Sequence, residues 1–316
     1  MSTLNSDGYE EPPPSIYWGG CAFGSAFCKH ALLYTFCCNI SLSLILSTIP
    51  PFHFYIRTDI GVYNGMVKKW GPNFHQKVLM SGGSAGTIFA LALALGKEPA
   101  YVDMLYSTVS INTLKRSPIY YGSYYLEEQL HLLLKDPLVY KKIEGRCCFG
   151  TTAFFSKHRW HVSWESNDDL LECLRASYHI PLYCKFSGGI KGVECVDGAY
   201  GFAGHDLPHG DQTLYVGIDP HAEITRTLTN NEMFYPTVGR EYEAMVKSGE
   251  DAFLNWNGKM NVKVGSRQPN YSALYVLWAL KVIENIVYTA INSMYKLFFL
   301  LLAIVSVFTS IVPIKK

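Results

Sequence analysis

The sequence has almost no surplus of charge of either sign, and its cysteines lack the spacing typical of a metal site. Its 316 residues include 27 Lys and Arg and 26 Asp and Glu, so the formal net charge is +1. This balance argues against a nucleic-acid-binding protein, which would need a basic surface. None of the nine cysteines forms a C-x-x-C motif, which argues against a structural zinc site or a disulfide framework. We therefore expect reduced, mostly buried thiols, no metal and no cofactor.

The first residues lack the features of a secretory signal. Residues 1–14 are polar, acidic and rich in proline, with neither a basic start nor an apolar stretch. We expect them to form a disordered lead-in.

A long uncharged stretch lies near the other end of the chain. Residues 297–314 contain no charged side chain and are just long enough to cross a bilayer as a helix. The preceding residues, 272–295, place apolar side chains at mostly helical spacing. We expect an amphipathic helix at the membrane interface, followed by a membrane-embedded helix. The alternative is a buried C-terminal helix of the globular domain.

Between these ends, short apolar strands alternate with helical patterns. Strands are predicted at 15–18, 77–80, 147–155, 159–164, 181–184, 192–196 and 213–218. Helices are predicted at 85–96, 98–115, 122–134, 170–177 and 241–256. Ser166 is a strong start signal for the helix at 170–177. The alternation predicts an α/β layered domain.

The most informative motif is Gly82-Gly83-Ser84-Ala85-Gly86, which lies between a predicted strand and a predicted helix. In this context a G-x-S-x-G sequence is typical of the nucleophile elbow, because glycines such as Gly82 and Gly86 permit the sharp turn that exposes the serine. The serine also lies at the N-terminal end of a helix, where negative charge is stabilised. Ser84 is therefore the predicted nucleophile, although the bare motif also occurs by chance.

A serine nucleophile needs a base and a site for the oxyanion. For the base we consider Asp197, in an Asp-Gly pair directly after an apolar strand; taken alone, such a pair is often just a turn. Histidine is the usual partner of a nucleophilic serine, so the candidates also include His179, His205, His209 and His221. His205 and His209 have the spacing of metal ligands, but Pro208 argues against the helix that such a pair needs. Roles in a loop or a substrate pocket are favoured for them.

The predicted oxyanion site is the glycine-rich turn Gly19-Gly20-Cys21-Ala22-Phe23-Gly24, which follows the first strand. A turn of this kind presents successive backbone N–H groups to a developing negative charge. We therefore expect the backbone around Gly19, Gly20, Cys21 and Ala22 to form the oxyanion hole. A simple tight turn is the alternative.

An apolar run does not fit this scheme. A helix should follow the oxyanion loop directly, but residues 25–59 are rich in Ser, Leu and Cys, and the best helical segment, 61–70, lies well downstream. Three interpretations stay open. The run at 31–52 is a membrane-dipping hairpin or second spanning helix, an inserted helix packed on the domain, or translated intervening sequence from a faulty gene model.

Together, and in this order, the three motifs resemble those of the patatin-like phospholipases. That family uses a G-G-x-x-x-G oxyanion loop, a G-x-S-x-G serine and a D-G-[GA] aspartate, which this sequence supplies as Asp197-Gly198-Ala199. Segments at 61–65, 179–184 and 242–254 look like the animal triglyceride-lipase branch, of the adipose triglyceride lipase type. The resemblance covers 15–257, with 25–60 excepted, and departs from the family at Cys21, where glycine is usual.

The resemblance implies a patatin-like three-layer α/β/α sandwich with a mainly parallel central sheet, followed by C-terminal hydrophobic helices. The catalytic domain would cover 15–257 with an atypical apolar insertion at 25–60. Residues 258–316 would hold a linker, the amphipathic helix and the membrane-associating segment. The resemblance also implies a Ser–Asp dyad without histidine, in which Ser84 is the nucleophile and Asp197 the general base.

A lipid acyl hydrolase is accordingly the expected function, with an acyl-enzyme intermediate and a phospholipid or acylglycerol substrate at a membrane or lipid-droplet surface. The catalytic domain would face the cytoplasm, with the endoplasmic reticulum and the lipid droplet as candidate locations. Ile88, Phe89 and Leu91 would line an acyl pocket or simply pack in the core. The alternatives are a transacylase on the same dyad and a catalytically impaired patatin-like membrane protein that binds lipid or another protein.

Overall fold

A seven-stranded sheet forms the centre of this structure, a computed structural model that describes residues 9–19, 56–116, 118–153, 158–185, 188–199, 201–203, 206–217, 222–224, 240–260, 268–269 and 271–311. The strands are β1 Ser15–Trp18, β2 Leu79–Gly83, β3 Cys147–Ala153, β4 His158–His161, β5 Gly189–Ile190, β6 Val193–Val196 and β7 Thr213–Val216. The helices are α1 Ile56–Trp70, α2 Gly86–Ala94, α3 Pro99–Leu114, α4 Pro118–Leu133, α5 Val139–Lys142, α6 Asn167–Tyr178, α7 Arg240–Leu254 and α8 Tyr271–Ile311.

The sheet is mainly parallel. Its order is β5-β6-β3-β2-β1-β7, and β4 also pairs with β3. The neighbours β3, β2, β1 and β7 run parallel to one another, whereas β4 and β6 are antiparallel to β3. β2 therefore lies in the interior of the sheet, and Ser84 directly follows its carboxyl end. In open α/β sheets, that end of the strands is where ligands bind.

One face of the sheet is covered by α2, in which all nine residues are buried. The helix is almost entirely apolar around its circumference, which is typical of a helix inside a core rather than at a surface. Phe89 packs against Trp18 of β1, with 4.4 Å between the ring centroids. Burial of this apolar surface is the main contribution that holds α2 on the sheet.

The opposite face of β1 carries an aromatic cluster. Successive residues of a strand point to opposite faces, so Tyr17 points away from α2 while Trp18 points towards it. The ring centroid of Tyr17 lies 4.8 Å from that of Phe202, 5.0 Å from that of Tyr215 and 5.7 Å from that of Trp160. These contacts join β1, β4 and β7 to the segment 201–203.

Helices α1 and α7 are distant in sequence but pack against each other. Trp70 at the end of α1 makes an edge contact with Phe253 of α7, with 4.9 Å between centroids. Lys68 and Glu250 form an ion pair of 2.5 Å across the same contact. The helix predicted at 61–70 is therefore present, and it begins at Ile56. Residues 56–59 of the segment 25–59 thus belong to α1, and the apolar run at 31–52, with its three interpretations, lies outside the described residues.

α8 is a single continuous helix. Neither proline nor glycine occurs between Tyr271 and Ile311, so nothing interrupts its backbone hydrogen bonds. Leu274, Leu277 and Trp278 near its start are buried against the domain, whereas every side chain from 285 to 302 is exposed. The expectation of two successive helices is thus corrected to one. Among the described residues, α8 is the one helix that is long and apolar enough to cross a membrane.

The α/β fold and the mainly parallel sheet are confirmed. The helix start at Ser166 is confirmed as well, because its hydroxyl accepts a hydrogen bond from the Asp169 amide at 3.1 Å. The strand predicted at 181–184 is wrong, since 180–184 form a turn in which Leu182 has a left-handed φ of 65°.

The described cysteines are free and buried, namely Cys147, Cys148, Cys173, Cys184 and Cys195. Burial disfavours the thiolate and raises the pKa of Cys148 and of Cys184 to about 12.

Candidate active site

Ser84 occupies the sharp turn between β2 and α2. Its φ of 56° lies in the left-handed region, which a residue other than glycine adopts where the surrounding structure enforces it. Gly82 is required beside it, because a Cβ atom there would lie 2.6 Å from the carbonyl oxygen of Gly86. The Ser84 carbonyl accepts hydrogen bonds from the amide and the hydroxyl of Thr87, at 3.1 and 2.7 Å. This is the strand–turn–helix geometry of a nucleophile elbow.

The side chain of Ser84 points at Asp197. Its hydroxyl donates a hydrogen bond to Asp197 Oδ2 at 2.5 Å, although 113 residues separate the two in sequence. Neither side chain has any exposed surface. The predicted nucleophile and the predicted base are therefore in direct contact, and a proton can pass between their oxygens.

Burial determines the electrostatics of this pair. The loss of water disfavours the ionised carboxylate and raises the pKa of Asp197 from its ordinary 3.8 to about 7. Hydrogen bonds from the Ser84 hydroxyl and from the Ala199 amide, the latter 2.8 Å long, act in the opposite direction. The result is a carboxyl group whose pKa lies near neutral pH, where a general base is most effective.

The backbone of Asp197 is held from both sides. Its N–H donates to the His179 carbonyl at 2.9 Å, and its own carbonyl accepts from the Thr152 hydroxyl at 3.2 Å. The next amide, that of Gly198, donates to the Ser177 carbonyl at 2.8 Å. The carboxylate is therefore positioned by β3 and by the end of α6, both of which are regular, buried elements.

Two glycines let the segments approach closely enough for the pair to meet. A Cβ atom on Gly83 of β2 would lie 3.3 Å from the backbone of Ala199, two residues after Asp197. Gly198 lies beside β3, and a Cβ atom at that position would run into the Gly150 carbonyl. Because Gly83 precedes Ser84 and Gly198 follows Asp197, a larger residue at either place would move one member of the pair.

Ser177 is a site residue that the sequence analysis missed. Its hydroxyl accepts a hydrogen bond from the Ser84 amide at 3.0 Å and donates one to the Gly150 carbonyl at 2.6 Å. The residue is completely buried. It thereby provides a hydrogen-bond partner for a buried amide in the strained turn. Burying that amide without a partner would reduce the free energy of unfolding. The one signal in the sequence was a serine on the apolar side of a predicted helix, and that signal does not point to Ser84.

The histidine candidates do not take the place of Asp197. His179 is buried beside Asp197 but offers it a carbonyl, while its ring lies 3.5 Å from Glu284 Oε2. His209 is exposed, in a left-handed conformation with φ of 61°. His205 and His221 fall outside the part of the chain that the structure describes. Within that part, no group of three or more His, Cys, Asp or Glu side chains is placed to hold a metal ion.

Gly19 is the one predicted oxyanion residue that the structure describes. Its N–H donates to the Val216 carbonyl at 2.8 Å, which continues the pairing of β1 with β7. That amide is therefore already hydrogen-bonded within the sheet. Gly20, Cys21 and Ala22 lie outside the described residues, so the oxyanion hole stays a prediction that depends on them.

For Ile88, Phe89 and Leu91 the sequence left two roles open, lining an acyl pocket or packing in the core. All three are fully buried on α2, within the main hydrophobic core. The structure therefore favours packing in the core for each of them.

No protein-family model matches this sequence, and no curated protein matches it either. The Ser84–Asp197 pair and the motifs that surround it are therefore the features that indicate a function.

Proposed function

We propose that this protein is a serine hydrolase that cleaves carboxylic esters of lipids with a Ser84–Asp197 dyad. The observation that carries this proposal is the 2.5 Å hydrogen bond from Ser84 Oγ to Asp197 Oδ2, formed at a strained elbow. A serine hydroxyl is a weak nucleophile unless a base takes its proton. Asp197 has both the position and, with a pKa of about 7, the basicity for that task.

The reaction would proceed through an acyl-enzyme. The Ser84 oxygen attacks the ester carbonyl while its proton passes to Asp197 Oδ2, and the oxyanion that forms is stabilised by the N-terminal end of α2 and by the predicted loop at 20–22. Collapse of the tetrahedral intermediate breaks the ester bond, and the alcohol leaves with the proton from Asp197. The ionised Asp197 then activates a water molecule, which releases the fatty acid and regenerates Ser84.

The burial of the dyad has two consequences for this reaction. In a site without water, hydrogen bonds and backbone dipoles act more strongly on the charge of the transition state. Because Ser84 has no exposed surface in this conformation, an ester reaches it after neighbouring side chains have moved.

The lipid character of the substrate is inferred from α8. Six consecutive apolar residues near its exposed end are each about half or more exposed, namely Leu297, Phe298, Phe299, Leu300, Leu301 and Leu302. An apolar surface of this kind favours a lipid environment over water. At 1.5 Å per residue, 285–311 is about 40 Å long, and the hydrocarbon core of a bilayer is about 30 Å thick. We therefore propose that α8 attaches the enzyme to a membrane or lipid-droplet surface, with the catalytic domain on the cytoplasmic side.

The order of the three motifs supports a patatin-like assignment. We propose a patatin-like three-layer α/β/α domain over 15–257, with Gly20, Cys21 and Ala22 in the oxyanion loop. A mainly parallel sheet, with the serine at the carboxyl end of an interior strand, is compatible with this assignment.

Release of fatty acid from phospholipid vesicles and from emulsified triacylglycerol tests the proposal. The full chain should release fatty acid, and Ser84→Ala should lower the rate by about 1,000-fold or more. Ser163→Ala, at an exposed serine, is the matched control and should keep the full rate. Release by Ser84→Ala at the rate of the unaltered protein would refute the proposal.

A further inference from the structure

Helix α8 directs a buried ion pair into the domain that carries the dyad. Lys281 and Glu284, one helical turn apart, are 1% and 3% exposed. Lys281 Nζ donates a hydrogen bond to Glu284 Oε2 at 2.7 Å. Buried charges are stable where further polar groups surround them, so the partners that the domain supplies to this pair define its role.

The partners of Glu284 lie in the turn that follows α6. Glu284 Oε1 accepts a hydrogen bond from the Leu182 amide at 2.9 Å, and Oε2 lies 3.5 Å from His179 Nε2. Leu182 has a left-handed φ of 65°, an unfavourable conformation for a branched side chain. The carboxylate of Glu284 therefore holds this turn in a shape that its own sequence does not favour.

That turn is in direct contact with the proposed catalytic base. The carbonyl of His179 accepts the hydrogen bond of the Asp197 amide at 2.9 Å. Lys281 contacts a second segment next to Asp197, because its Nζ lies 2.9 Å from Oε2 of Glu194 in β6. β6 ends at Val196, one residue before Asp197. The ion pair of α8 thus contacts two segments next to Asp197, the turn whose His179 carbonyl accepts the Asp197 amide and the strand β6 that precedes Asp197 in the chain.

We propose that Lys281 and Glu284 are positioning residues for Asp197, so that docking of α8 on the domain sets the alignment of the Ser84–Asp197 pair. This inference rests on the proposed function in so far as Asp197 is the base. The stretch of α8 in which every side chain is exposed, 285–302, begins directly after Glu284. One uninterrupted helix therefore connects the lipid-seeking surface with the catalytic base, and the orientation of that helix is transmitted to the dyad.

Four variants of the full chain in detergent test this inference. Glu284→Ala removes the contacts of the carboxylate with Lys281, the Leu182 amide and His179, and Glu284→Gln keeps an acceptor for the Leu182 amide. Lys281→Met removes the contact with Glu194, and Glu144→Gln, at an exposed residue, is the control. Two quantities are measured: kcat on a short-chain soluble ester, and hydrogen exchange of the backbone amides at 193–199, which include the Asp197 amide.

Glu284→Ala and Lys281→Met should lower kcat on the order of 10- to 100-fold, because a small displacement of a catalytic group has a large effect on rate. Exchange of the Asp197 amide should accelerate in both, while the amides of α2 stay protected. Glu284→Gln should recover part of the lost rate, and Glu144→Gln should match the unaltered protein.

The outcomes separate this inference from the proposed function. If the unaltered protein releases no product but Glu284→Ala still accelerates exchange at Asp197, the hydrolase proposal fails and the positioning role stands. If the unaltered protein is active and Glu284→Ala changes neither kcat nor exchange at 193–199, the positioning role is overturned. Uniform acceleration of exchange, α2 included, would also overturn it, since the ion pair would then support general stability alone.

Discussion

The backbone N–H of Ser84 donates a hydrogen bond of 3.0 Å to the hydroxyl of Ser177. The segment that contains Ser177 also supports the other member of the proposed dyad, because the carbonyls of Ser177 and His179 accept hydrogen bonds from the amides of Gly198 and Asp197. One short stretch at the end of α6 therefore holds the proposed nucleophile and the proposed base together. This explains how two residues from opposite sides of β3 keep a common geometry.

Ser177→Ala should impair both activity and stability. The variant leaves the buried Ser84 amide without its partner, and such a loss costs about 1–3 kcal/mol. The turn at Ser84 also loses a contact that orients it, so we expect kcat to fall on the order of tenfold or more. Thermal unfolding and ester hydrolysis measure the two effects, with Ser163→Ala as the exposed control. Unaltered values for both would mean that this hydrogen bond does not support the elbow.

Activity should depend on pH through Asp197. The carboxylate must be ionised to accept the Ser84 proton, and burial raises its pKa to about 7. With a neutral soluble ester, kcat/KM should therefore increase with pH and level off above a midpoint of about 7. A midpoint near the ordinary value of 3.8 would show that Asp197 is solvated during catalysis or is not the base.

Asp197→Asn should be more stable than the unaltered protein at alkaline pH. The folded pKa of about 7 lies above the ordinary 3.8, so the folded state binds the proton more tightly than the unfolded state. The stabilisation from that proton is complete below about pH 4 and is lost as the pH rises to about 7. The interval between the two pKa values corresponds to about 4 kcal/mol, which is the largest increase in the free energy of unfolding that Asn can give.

The measurement is the difference in thermal midpoint between Asp197→Asn and the unaltered protein, taken at about pH 5 and about pH 8. The neutral amide can donate to Ser84 and accept from Ala199, so both hydrogen bonds of the carboxyl group have a counterpart. The difference should grow with pH, whereas Asp251→Asn at an exposed position should show no such growth. A constant difference would argue against a raised pKa for Asp197.

Binding to lipid should depend on the exposed part of α8. Leu300→Lys combined with Leu301→Lys places two charges on an apolar surface, and a charge within the hydrocarbon core costs about 2.5–3.5 kcal/mol. We expect this double variant to float less with phospholipid vesicles than the unaltered protein. Leu132→Lys, at a leucine of α4 that is 59% exposed, is the matched control and should float normally. Equal flotation of all three proteins would assign the attachment to another part of the chain.

Local sequence signals were sufficient where a residue acts on its immediate neighbours. Gly82 and Ser84 predicted the elbow because the turn needs a glycine and a left-handed residue at fixed positions. Ser166 predicted the start of α6 because its hydroxyl caps an amide three residues later. The Asp-Gly pair at 197 became informative through its order relative to the other motifs, and the structure brings Asp197 into contact with Ser84.

Features that depend on contacts between residues far apart in sequence were not predicted from local sequence patterns. The turn at 180–184 was predicted as a strand because its residues are apolar, but its shape is held by Glu284, 102 residues away. Ser177 was missed for the same reason, since its partner Ser84 is 93 residues distant. The division of the C-terminal region into two helices was wrong because a change in hydropathy does not interrupt a helix that contains neither proline nor glycine.

The most direct test of the central claim is covalent labelling of Ser84. A fluorophosphonate reacts with an activated serine hydroxyl, forming a bond from phosphorus to the serine oxygen and releasing fluoride. Peptide mass spectrometry of the full chain should locate the adduct on Ser84, with the label absent in Ser84→Ala and strongly reduced in Asp197→Asn. An unlabelled Ser84 in the folded protein, or labelling that is equally fast in Asp197→Asn, would contradict a Ser84–Asp197 dyad.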